Sequence, residues 1–116
     1  MNYVIENKKG SYKSFIPEGE ETTYPLRGVT YPVDYGYING YIGEDNAELD
    51  LFIGTGNLKG YIKVWRLDVP VETKFFTEVS EKELAEILSA FEPVLLDSKI
   101  LTDIEFESEL NRFKVK

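Results

Sequence analysis

Tyr31 to Leu51 reads YPVDYGYINGYIGEDNAELDL, setting Tyr31, Tyr35, Tyr37 and Tyr41 ahead of Glu44, Asp45, Glu48 and Asp50. Aromatic walls beside converging carboxylates can hold a divalent metal next to a small polar ligand. Asp45 and Asp50 flank a short bend that leads into an apolar run, where carboxylates can converge on a hard cation. Mg²⁺ takes one or two carboxylates from protein and completes its shell with water and substrate phosphate. The same spacing also describes a solvated acidic loop. Tyr35 and Tyr37 fall on one face of a strand, with Asp34 and Gly36 on the other. They serve equally as a core stack or as a phenol turned toward a phosphate oxygen. Inside the acid cluster stands Ala47, at the position where a further acid would be most useful.

Other chemistry is sparse. The chain has no histidine and no cysteine, which removes imidazole as base or ligand and excludes thiolate metal sites and disulfides. Catalysis would have to run on carboxylates, lysine, tyrosine, arginine and metal. Among the isolated cations Lys9, Lys13, Arg27, Lys59, Lys63, Arg66 and Lys74, most read as surface charges. Lys13 and Lys74 lie in β-like segments from which a side chain could reach a pocket. The net charge of −8, from 21 acids against 13 bases, disfavours DNA or RNA as partner, because phosphate neutralisation needs clustered cations. A small phosphate ligand stays open, since a bound divalent metal reverses the local field of an acidic pocket.

The elements that must position these groups form, on length and composition, one domain over residues 1–116. An apolar fraction of 42% is enough for a core. Short β-like stretches are predicted at 2–6, 11–16, 33–38, 49–53, 61–68 and 74–79, with turn chemistry at 7–10, a solvated loop from Pro17 to about Thr23, and a glycine-rich turn at 54–60. Ser80 with Glu83 predicts a capping box. Leu84, Ile87, Leu88 and Phe91 then follow at helical spacing, and Pro93 ends the helix. Thr102 with Glu105 repeats the box ahead of Phe106, Leu110 and Phe113. Strands first and helices last indicate an α+β, mainly β domain. No apolar run approaches a membrane span and no signal-peptide core is visible, so a cytoplasmic setting without membrane contact is expected.

Tyr31-Pro-Val-Asp-Tyr-Gly-Tyr-Ile-Asn39, followed by Asp45-Asn-Ala-Glu-Leu-Asp-Leu51, resembles the soluble type I inorganic pyrophosphatases. That family carries a Y-P-x-[ND]-Y-G-Y-I segment just before the signature D-[SGDN]-D-[PE]-[LIVMF]-D-[LIVMGAC]. The chain matches six of the seven signature positions, Ala47 being the exception. The resemblance is specific over about residues 27 to 54 and weaker from residue 3 to about 92. It implies a five-stranded OB-like barrel with flanking C-terminal helices. It also implies Mg²⁺-dependent hydrolysis of pyrophosphate to two phosphates. As homo-oligomers, bacterial members usually form hexamers.

Carried over by residue, the resemblance makes Asp45 and Asp50 metal ligands and Tyr35 the phosphate-facing tyrosine. Lys13, in Gly10-Ser-Tyr-Lys-Ser14, corresponds to the lysine of the family's K-Y-E motif. Arg27 precedes Tyr31 as the family arginine does, across a shorter spacer. Asp68 to Lys74 resembles the D-x-x-x-x-D-x-K loop, putting Glu72 at the last acid, a metal ligand, and Lys74 at the phosphate-binding lysine. The first acid of that loop falls on Leu67, next to Asp68.

Three departures bear on activity. Ala47 removes the middle aspartate, which in the family helps activate the attacking water. Ser14-Phe15 stands where the family has Tyr-Glu. Near Glu92-Pro93-Val94-Leu95 the family's product-binding Tyr-Lys pair is missing. A positioned proton-transfer group contributes about 10² to 10⁴ in rate, although effects within one site are not additive. Glu44 and Glu48 are near substitutes in sequence, but an extended segment would turn Glu48 away from Ala47. Three functions follow for test: a divergent, slowed pyrophosphatase, a catalytically inactive homologue that binds metal or phosphate or acts as a scaffold, and an OB-type nucleic-acid binder, which the charge disfavours.

Overall fold

Alternation of apolar side chains builds one sheet with two covered faces. A computed structural model describes residues 1–115. Strands β1 (Tyr3–Asn7), β4 (Asp34–Ile42), β5 (Glu48–Ile53), β6 (Leu58–Val64), β7 (Glu72–Val79) and β8 (Leu95–Ile100) form a six-stranded mixed sheet in the order β1-β4-β5-β7-β6-β8. Strands β2 (Tyr12–Ser14) and β3 (Gly28–Thr30) pair as a separate antiparallel ribbon. Among the described residues only β5 and β7 run parallel. Helices α1 (Glu81–Ala90) and α2 (Asp103–Asn111) follow the strands, separated by a 3₁₀ turn over Glu92–Val94 and by β8.

Period-two alternation sorts neighbours on each strand to opposite faces. Phe52, Ile62, Val64 and Phe76 join Leu84, Ile87 and Phe91 in one buried cluster. Leu49, Leu51, Tyr61 and Phe75 join Phe106 and Leu110 in the other. Each helix therefore covers one face, and both begin with the capping box that the sequence predicts. Gly36 and Gly60 allow close backbone approach. A Cβ at Gly36 would collide with the Val4 carbonyl, and one at Gly60 with the Lys99 carbonyl.

The mainly β α+β class is as expected, but the strands do not close into a five-stranded barrel. Leu95–Ile100 pairs along the outer edge of β6 and extends the sheet outward. No pairing joins β8 back to β1 among the described residues. The strand expected over 61–68 ends at Val64, and 65–71 forms a loop. Gly60 lies inside β6 rather than in the preceding turn. No helix among the described residues is long and apolar enough to cross a membrane.

Candidate functional site

At one end of the sheet the apolar face that carries Phe52 and Phe76 gives way to charge. The register explains the grouping. Tyr35 pairs with Phe52 and Tyr37 with Asp50, while Leu51 pairs with Phe75. The same parallel register carries Asp50 alongside Lys74. Two-residue steps along β7 then put Glu72, Lys74 and Phe76 on one side. A cleft of about 540 Å³ opens there, bordered by Lys13, Tyr35, Asp45, Asp50, Glu72 and Lys74.

Six of the seven expected site residues thus meet in one cleft. The seventh, Arg27, is not on its lining. Its guanidinium donates to the Glu20 carbonyl at 3.0 Å, beside a neighbouring hollow that shares Ser14, Phe15 and Ile16 with the cleft.

Lys74 is the buried centre. Its Nζ lies 2.7 Å from the Tyr35 hydroxyl, 2.9 Å from Asp50 Oδ2 and 2.6 Å from Glu72 Oε1. It also sits over the rings of Tyr35 and Phe91, at 5.2 and 5.7 Å. Burial disfavours its charge, but the oxygens of Tyr35, Asp50 and Glu72 outweigh this and hold it well above the ordinary lysine value. Tyr35 stacks on Tyr31 with ring centroids 4.4 Å apart. Burial keeps both phenols protonated, against the pull of Lys74, with Tyr31 pushed up to about 12. The stack is therefore both core and cleft wall.

Arg66, by its sequence setting a surface charge, bonds three carboxylates at the cleft. Its Nη1 lies 2.8 Å from Asp45 Oδ2 and also bonds Glu72 Oε2, while Nη2 reaches Asp68 at 3.0 Å. Burial works against its charge, but Glu72, Asp68 and Asp45 hold it above the ordinary arginine range. One sequence signal pointed here: Arg66 directly precedes Leu67, the position where the family loop has an acid.

The turn before β5 sets the remaining groups. Asn46 adopts a left-handed conformation, φ 63°, which asparagine tolerates better than most residues. Asp45 Oδ1 accepts the Ala47 N–H at 3.0 Å. Burial raises the Asp45 carboxyl, but the bonds from Ala47 and Arg66 prevail and leave it below the ordinary aspartate range. Ala47 and Glu48 both border the cleft. Ala47 belongs to this turn, and strand alternation starts only at Glu48. Glu44 is engaged elsewhere, accepting the Thr73 N–H and hydroxyl at 2.9 and 2.7 Å.

The carboxylates converge in pairs on a positive charge: Asp45 and Glu72 on Arg66, Glu72 and Asp50 on Lys74. No three close around a common point among the described residues. Two carboxylates per cation and an all-oxygen donor set suit Mg²⁺, and the Arg66 nitrogen between Asp45 and Glu72 marks where positive charge is accepted. The lining carries the acids Glu6, Asp45, Glu48, Asp50, Asp68 and Glu72 against Lys13, Arg66 and Lys74. That excess repels a bare phosphate anion and favours one that arrives with a divalent cation.

A family model for inorganic pyrophosphatase matches residues 1–79. The match spans every strand that lines the cleft, and the chain belongs to the inorganic pyrophosphatase family. Neither the curated proteins nor the solved structures gave a match.

Proposed function

We propose that the chain is a divergent inorganic pyrophosphatase, which hydrolyses pyrophosphate to two phosphates slowly and with Mg²⁺. The observation that carries this reading is the meeting of Lys13, Tyr35, Asp45, Asp50, Glu72 and Lys74 around one cleft, in a chain of this family. Asp45, Asp50 and Glu72 are the residues that would hold Mg²⁺. Bound there, the ion would neutralise phosphate charge and make an attacking water more acidic.

The chain's own groups supply the rest. Lys74, protonated and buried, gives a fixed positive charge at the floor. Lys13, exposed on β2 and without an ion-pair partner among the described residues, can reach a phosphate oxygen from the rim. Tyr35 offers a phenol proton that burial keeps in place. Arg27 borders the hollow next door rather than the cleft itself, so its part in holding phosphate rests on the family alone. Ala47 presents a methyl where the family has an acid, so proton transfer lacks its positioned acceptor and turnover is slow. Self-assembly into a homo-oligomer and a cytoplasmic setting belong to the same reading and rest on the family alone.

Phosphate release from Mg-pyrophosphate tests this. The expected result is a low rate that disappears with chelator and with Asp50→Asn. Ala47, and Phe15 in place of a glutamate, favour a second reading: a homologue that binds metal and phosphate without turnover. Calorimetry that records Mg²⁺ and phosphate binding, in protein that releases no phosphate, would select it.

A further inference from the structure

Arg66 deepens the reading above and depends on it. The residue sits in the loop between β6 and β7, and its backbone is pinned. The Arg66 N–H donates to the Val69 carbonyl at 3.1 Å, and the preceding Trp65 N–H to the Val94 carbonyl at 3.1 Å. The Tyr24 hydroxyl caps the Trp65 carbonyl at 2.7 Å. From this base the side chain reaches into the cleft and puts one nitrogen between Asp45 and Glu72. Glu72 is almost wholly buried, its side chain 4% exposed, whereas that of Arg66 is 36% exposed and that of Asp68 59%. The guanidinium can therefore swing outward while keeping Asp68 as partner.

We infer that Arg66 is a resident cation that competes with divalent metal for the Asp45–Glu72 pair. The two occupants exclude each other, because both need the same carboxylate lone pairs and both are positive. Metal loading moves the guanidinium off Asp45 and Glu72, toward Asp68 and the mouth of the cleft. There its freed N–H donors can meet an incoming phosphate oxygen. Without metal, Arg66 pairs the second oxygen of the buried Glu72, whose first faces Lys74. Metal affinity is thereby lowered, and arginine contact with phosphate is coupled to metal occupancy.

Titration calorimetry with Mg²⁺ and Mn²⁺ on the whole chain and on Arg66→Gln tests this. The variant should bind metal on the order of tenfold tighter or more, as expected when a unit charge a few ångströms away is removed. Equal or weaker binding by the variant overturns the inference and leaves the metal reading standing. No binding by either protein overturns both. Should Arg66→Gln not fold, the unaltered protein gives the answer. Its Arg66 Nε–H signal in ¹⁵N-edited spectra should shift with Mg²⁺ along the calorimetric isotherm, and a signal unmoved at saturating Mg²⁺ contradicts the competition.

Discussion

The Lys74 ammonium lies 2.7 Å from the Tyr35 hydroxyl, which ties the chemistry of the cleft to the packing of the sheet. Tyr35 is 5% exposed and stacked on Tyr31, and Lys74 is 8% exposed. A charge this deep persists only because Asp50 and Glu72 face it.

Lys74→Met should therefore destabilise the fold strongly. It leaves two carboxylates without their shared cation, and breaking such a buried arrangement costs about 3 to 5 kcal/mol. Urea unfolding measures this. A loss under about 1 kcal/mol would show that the ion pairs are incidental to stability.

Tyr35→Phe separates the hydroxyl from the ring. The stack on Tyr31 and the tilted contact with Phe52 survive, while the Lys74 hydrogen bond does not. The expected cost is about 1 to 3 kcal/mol, that of one lost partner for a buried donor. Calorimetric affinity for phosphate in the presence of Mg²⁺ should fall as well. Unchanged affinity in a folded variant would assign Tyr35 to the core alone.

Acid should unfold the protein through carboxyls that the native state holds ionised. Burial raises Glu83, but the N–H groups of Thr55 and Ser80 and the Thr55 hydroxyl prevail and lower it. Asp45 is lowered too. A depressed native pKa adds stability that is complete above the unfolded value, about 4, and is lost as pH falls through the native one. Melting temperature should thus stay level from pH 7 to about 5 and drop below about pH 4. Glu83→Gln should melt lower at pH 7, with its curve converging on the parent's at low pH. Parallel curves would contradict the assignment.

Both capping boxes and the alternation in β5 and β7 were legible because they are local. Ser80 with Glu83 and Thr102 with Glu105 act within four residues. Strand β8 was not legible. Leu95–Ile100 is an edge strand with almost every side chain exposed, so no burial pattern marks it, and only β6 gives it a place. That added strand also explains why the sheet extends where the resemblance implied closure. The shared lining of Asp45, Asp50, Glu72 and Lys74 was readable through the resemblance. Arg66 was not, because its partner Asp45 lies 21 residues away and a loop arginine looks like any surface charge.

Restoring the missing acid tests the central claim most directly. Ala47 is exposed and borders the cleft, so Ala47→Asp can be accommodated without repacking. Phosphate release from Mg-pyrophosphate should rise about tenfold or more over the parent chain, less than the full contribution of a positioned proton-transfer group because other parts of the site are also missing. No release from either protein, or no gain in a folded Ala47→Asp variant, would contradict the account of the cleft as a pyrophosphatase site.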